Sequence, residues 1–189
     1  MKKVALAFAV ALTFCVCAAG QRPGDRVVKP QSGDYMIVVP DSWTYHDAGR
    51  IQIMAASVSN GPSPNIVISF DKTNLSLKEY IVRGFKNLIK VFNETDGKII
   101  SVSAVSEFVT ESGQKGVKIV IGIQHVDRFI SQNIYVFDGA NGKKWAIGGT
   151  AEVKDYSSYN KDFDRIVKSW KPIETKEAMS GKQNKVKKS

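Results

Sequence analysis

From Gly116 to Val126 the side chains alternate: Val117, Ile119, Ile121 and Ile123 are apolar, whereas Lys118, Val120, Gly122 and Gln124 form a mixed set. A period of two places the first set on one face of a strand and the second on the other. The same texture recurs at Ile99–Thr110, Phe129–Phe137 and Lys143–Thr150. Their connections, Glu111–Lys115 and Asp138–Gly142, carry the Gly, Asn and Asp that suit hairpin turns, so these segments predict a meander. Upstream, Tyr35–Val39 predicts a strand stopped at Pro40-Asp41-Ser42-Trp43. Ile51–Val58 and Ile66–Phe70 predict a hairpin around the irregular loop Asn60–Asn65.

Two segments follow a longer period. Ser76-Leu77-Lys78-Glu79 is a capping box, in which hydroxyl and carboxylate each satisfy the other residue's free amide. Leu77, Tyr80, Ile81, Gly84, Phe85, Leu88 and Phe92 then recur at spacings of three and four, a single stripe that can cover a sheet face. Asn93–Gly97 stops it. Tyr159, Phe163, Ile166, Val167 and Trp170 predict a closing helix from about Ser157 to Trp170, ended at Pro172. Strands and turns interrupted by two helices specify an α+β fold on an antiparallel sheet.

The first residues follow neither pattern. Lys2 and Lys3 precede an apolar run from Val4 to Ala19, which meets Arg22-Pro23-Gly24-Asp25. The run is shorter than the about 20 apolar residues that span a bilayer, and the layout is that of a cleaved secretory signal. The expected organisation is a signal peptide at 1–19, a flexible N-terminal segment at 20–33, one domain at 34–173 and a basic disordered tail at 174–189. The chain is therefore expected in the periplasm or cell envelope. Both cysteines, Cys15 and Cys17, fall in the signal. Lipidation of one of them is the alternative reading, and Phe14 and Val16 weigh against it because a lipoprotein signal wants small residues before its cysteine. Cleavage after Ala19 removes all thiol chemistry.

The formal net charge of the 189 residues is +9. Beyond Pro172 five lysines, Lys176, Lys182, Lys185, Lys187 and Lys188, face two acids, Glu174 and Glu177. Lys182, Lys185, Lys187 and Lys188 could hold an anionic membrane surface at about 1 kcal/mol per charge, or the tail is simply a solvated end.

Recognisable chemistry is sparse. His46 and His125 lack the local partners of a zinc motif. There is no Gly-x-Ser-x-Gly elbow and no phosphate-cradling glycine loop, and the acids are scattered singly. Lys143-Lys144-Trp145 sets cations beside an aromatic, for which an inward-packed Trp145 is the plainer reading. Asn74-Leu75-Ser76 and Asn93-Glu94-Thr95 match glycosylation sequons that matter only in a eukaryotic secretory route. The reading assigns no catalytic residue, cofactor or metal and expects no nucleic acid.

The order of parts, with Val39-Pro40-Asp41-Ser42-Trp43 closing the first strand and Ser169-Trp170 closing the last helix, resembles the PsbP-like family over roughly Asp34–Ile173. The resemblance implies an α/β/α sandwich with an antiparallel sheet of about seven strands and two main helices. It implies Pro40 and Trp43 as structural anchors of a turn. Family members include a photosystem subunit, a Ran-binding protein and bacterial envelope lipoproteins. The implied role is thus non-catalytic association with a protein or membrane complex, as an assembly or accessory factor. The alternative is a small-ligand or lipid carrier with an apolar pocket between the sheet and the Ser76 helix.

Overall fold

A computed structural model describes residues 24–48, 51–56 and 62–173. Among them lie eleven strands: β1 (Asp25–Val28), β2 (Tyr35–Pro40), β3 (Trp43–Asp47), β4 (Ile51–Ala56), β5 (Asn65–Lys72), β6 (Gly97–Val102), β7 (Ser106–Val109), β8 (Lys115–His125), β9 (Arg128–Asp138), β10 (Lys143–Glu152) and β11 (Lys171–Pro172). Helix α1 (Leu77–Glu94) follows β5 and helix α2 (Val153–Lys168) follows β10.

Eight strands form one sheet in the order β3-β4-β5-β10-β9-β8-β6, with β6 and β7 occupying successive stretches of the outer edge of β8. Every pairing is antiparallel. The chain leaves β5 in the sheet interior and α1 carries it across one face to β6 at the far edge. The meander β8-β9-β10 then returns to pair with β5. A smaller sheet, β1-β2-β11, packs beside α2. It is tied to that helix by Arg165, whose Nη1 donates to Asp25 Oδ2 at 2.5 Å, and by the Ser169 hydroxyl, which accepts from the Val38 amide at 2.8 Å.

Alternation along the strands divides the sheet. Ile68, Tyr135, Phe137, Trp145 and Ile147 point toward α2 and join its Phe163, Ile166 and Val167, with Trp170 and Tyr35, in one buried core. Ile119, Ile121, Ile123, Ile130 and Ile134 point the other way, against Ile81, Phe85, Leu88 and Phe92 of α1. The α/β/α sandwich follows, since two amphipathic helices cover opposite faces of one sheet.

The large sheet has eight strands, in keeping with the about seven expected, and a three-stranded sheet stands beside it. The structure corrects three expectations. Residues 25–28 are the paired strand β1, not part of a flexible segment, because their backbone bonds β2 and Asp25 meets Arg165 from the other end of the chain. Ile99–Thr110 is two strands, broken at 103–105 where the Ser103 amide and hydroxyl bond the Val120 backbone. Helix α2 begins at Val153, four residues before the expected start, because β10 runs directly into it through Glu152 without a side-chain cap.

Candidate functional site

Helix α1 starts where the capping box requires: the Ser76 hydroxyl accepts from the Glu79 amide at 3.3 Å, and Glu79 Oε2 accepts from the Ser76 amide at 2.8 Å. The Ser76 hydroxyl, which donates to Glu79 Oε2 at 2.7 Å, and then the Ser76 amide hold the exposed Glu79 carboxyl below its usual range. The apolar stripe turns toward the sheet, yet no residue of this helix is buried. Beneath it the sheet offers Ser69 on β5 and Ala146 and Gly148 on β10, all short, and Gly84 faces them from the helix. The result is a cleft of about 270 Å³, open along one side and walled by Val67, Ile81, Phe85, Leu88, Ile119, Ile134 and Val136.

None of the lining side chains is charged. Gln132 supplies an amide, donating to the Thr150 hydroxyl at 3.2 Å. Toward the N-terminal end of α1 the Tyr80 hydroxyl donates to Asp71 Oδ2 at 2.9 Å. Arg83 lies 3.9 Å from the same oxygen, with its guanidinium 5.5 Å from the Tyr80 ring centre. Burial, with the bond to Asp71 and its charge, pushes the Tyr80 phenol up to about 12, so it stays a neutral donor at physiological pH.

A second feature sits at the tip of the β8–β9 hairpin. Val126 has φ 55°, a left-handed conformation that a β-branched residue rarely adopts, and it is 66% exposed. Phe129 and Val153 are each about half exposed and border a shallow depression with Asp127, Arg128, Glu152 and Lys154. Exposed apolar groups on a strained turn mark a contact surface more readily than a fold requirement.

Beneath α2 the polar groups close on one another. Asp164 Oδ1 accepts from the Tyr135 hydroxyl and from Lys118 Nζ, each at 2.6 Å. Asn133 Nδ2 donates to the Tyr135 oxygen at 3.0 Å and to Asn160 at 2.8 Å, and the Tyr156 hydroxyl donates to Asn133 Oδ1 at 2.5 Å. Burial and the bond to Asp164 hold the Tyr135 phenol far above its usual range. A satisfied network of phenols and amides, with the Lys118–Asp164 ion pair at its edge, stitches α2 to β9 and β8.

Residues singled out from the sequence do not converge on one place. Pro40 ends β2, and Trp43 opens β3, buried with its ring edge-on to Phe163 at 6.2 Å and Tyr159 at 6.4 Å. His46 is exposed and His125 half-buried, and no three His, Cys, Asp or Glu come together among the described residues. Trp145 is buried, Lys143 Nζ reaches Asp34 Oδ1 at 2.5 Å above the Phe70 ring, and Lys144 pairs with Asp138. Cys15, Cys17, Lys182, Lys185, Lys187 and Lys188 lie outside the described residues. Sequence reasoning missed Val126 and Phe129, whose signal was a valine in a two-residue turn where Gly or Asn is usual.

Comparison with solved structures identifies the architecture. A cyanobacterial PsbP (CyanoP) from Synechocystis sp. PCC 6803 superposes with a TM-score of 0.55 at 12% identity, over 83% of this chain and 97% of that one. The fold is PsbP-like. The Ran-binding protein Mog1p of Saccharomyces cerevisiae matches at 0.50 and 11% identity over 78% and 94% of the two chains. A Pseudomonas aeruginosa protein of unknown function matches at 0.53 and 16% over 81% and 100%. No family model matches the sequence, and no curated protein does. In this PsbP-like sandwich the cleft lies on the α1 side of the sheet, whereas Phe129 belongs by alternation to the α2 side.

Proposed function

We propose that this chain is a non-catalytic binding protein, exported to the cell envelope, that docks on a protein or membrane complex as an accessory or assembly factor. The observation that carries this reading is the hairpin tip, where Val126 stays exposed on a turn held in a strained conformation, and where Phe129 of β9 and Val153 at the start of α2 stay exposed around one shallow depression next to it in the chain. Exposed aromatic and aliphatic anchors rimmed by Arg128 and Lys154 have the make-up of a protein contact. The acids Asp25, Asp34, Asp138 and Asp164 are meanwhile engaged with Arg165, Lys143, Lys144 and Lys118 in pairs that hold the fold. Binding is also the activity named for the structural neighbour Mog1p. Lys182, Lys185, Lys187 and Lys188 would add weak attraction to an anionic membrane.

Site-specific photocrosslinking in intact cells tests the proposal. A crosslinker at Val153 should trap one discrete envelope partner, the Phe129→Ser exchange should abolish that adduct, and a crosslinker at the exposed Lys161 should trap none. No adduct from Val153 at normal protein levels, or turnover on a defined substrate, would overturn it. Fractionation with intact mass tests the location: a mature start near Gly20 or Gln21 is expected, a diacylglyceryl cysteine would make the protein tethered, and a full-length cytoplasmic product refutes export.

A further inference from the structure

We infer that the cleft beneath α1 is a ligand slot for one unbranched alkyl or acyl chain. The inference is independent of docking at the hairpin tip, because the cleft lies on the opposite face of the sheet.

Shape carries it first. The helix lines the cleft from Tyr80 to Leu88, and a rise of 1.5 Å per residue makes that stretch about 12 Å long. On the sheet the lining crosses four neighbouring strands, β5, β10, β9 and β8, which at their usual spacing is about 14 Å. The volume of about 270 Å³ suits one chain of a small amphiphile and is too small for a partner helix about 10 Å across. The volume also exceeds the roughly 150 Å³ apolar cavity that is known to hold benzene.

Chemistry carries it second. The lining holds no charged side chain, and its polar members are one amide, one hydroxyl and one phenol. Mostly apolar walls with a few polar groups are the composition of small-molecule sites. Ionisable groups gather at one rim, where Tyr80 meets Asp71 and Arg83. A chain lying in the slot would leave its polar end there.

Gly84 carries it third. A glycine inside an eighteen-residue helix lowers helix stability, and close packing does not demand it, since a Cβ built there meets no atom within 4 Å. Its effect is to keep the mouth of the slot open above Ala146 and Gly148.

The test is calorimetric titration of the purified exported protein with 1-alkanols from hexanol to tetradecanol, each below its aggregation limit. Affinity should rise roughly four-fold per added methylene, as burial of each CH₂ implies, and then level off once the slot is full, at one chain per protein. Decanoate and a lysophospholipid bearing a decanoyl chain identify the source. Binding of both supports recognition of the chain whatever its headgroup, and binding of decanoate alone supports a free single chain. Gly84→Leu at the mouth and Ala146→Leu on the floor should each weaken 1-decanol binding at least ten-fold with the fold intact by circular dichroism, while Phe129→Ser binds as the parent does. Should either filled variant unfold, intermolecular contacts from ¹³C-labelled decanol to Leu88 and Ile134 in the parent protein decide the matter. Affinity that climbs without a plateau, unaltered binding in the filled variants, or contacts elsewhere would overturn the inference.

Discussion

On one face of the eight-stranded sheet Phe163, Ile166 and Val167 of α2 are fully buried, while on the other α1 lays Tyr80, Ile81, Phe85 and Leu88 toward the strands and buries none of them. Both helices are clearly amphipathic. The difference comes from what each face of the sheet offers. Toward α2 the strands present Tyr135, Phe137, Trp145 and Ile147, and the second sheet adds Tyr35 and Ile37. Toward α1 they present Ser69, Ala146 and Gly148 where the helix crosses β5 and β10. An apolar stripe therefore sets which way a helix faces, and the size of the opposing side chains sets how deeply it seats.

The largest expected effect tests that difference directly. Phe163→Ala removes a fully buried ring from the main core and should cost about 3–5 kcal/mol in denaturant unfolding. Phe85→Ala, from a half-buried ring of α1, should cost about half of that or less. Equal losses would mean that α1 is seated as deeply as α2, and the contrast would fail. Next in size is Gly149→Ala. A Cβ there would lie 2.8 Å from Phe163 Cγ, so α2 must shift off β10, at a cost of about 1–3 kcal/mol for overpacking.

The sequence made one half of this contrast easier to read than the other. Helix α1 was legible because its signals are local: Ser76 and Glu79 cap it within four residues, and its stripe repeats without interruption. The start of α2 was not, because Glu152 caps it through the backbone alone and Val153 prolongs the pattern of a strand. Strand β1 was hidden for a related reason. Its four residues are held by partners distant in the chain: β2, the Trp43 carbonyl that accepts from Arg26, and Arg165, which pairs with Asp25 from 140 residues away. The resemblance read from strand and helix order anticipated the sandwich itself, and the carrier alternative placed a pocket between sheet and Ser76 helix, where the cleft lies. Its dimensions were beyond reach, since they depend on Ser69, Gly84, Ala146 and Gly148 meeting across three elements. The strain at Val126 is equally tertiary, as only the closed hairpin forces that φ.

Local capping gives the third prediction. Ser76→Ala removes both hydroxyl bonds of the capping box and should cost about 1 kcal/mol. If α1 is the loosely seated element, amide exchange should speed up first along 77–94 while the strands facing α2 keep their protection. Uniform loss of protection would show that α1 and the main core open together, which would blunt the contrast between the faces.

The smallest effect is the sharpest, because its sign differs between the two sides of the sheet. Gly84→Ala places a methyl group where no atom lies within 4 Å, so it meets no clash and gains little packing. What remains is the intrinsic preference of a helix interior for Ala over Gly, worth up to about 1 kcal/mol of stabilisation. The same exchange at Gly149 is destabilising for the steric reason given above. Thermal melts of the two variants should therefore move in opposite directions from the parent. A Gly84→Ala variant less stable than the parent would show that the helix needs glycine there to approach the sheet, and the cleft would then be a tight contact rather than an open slot.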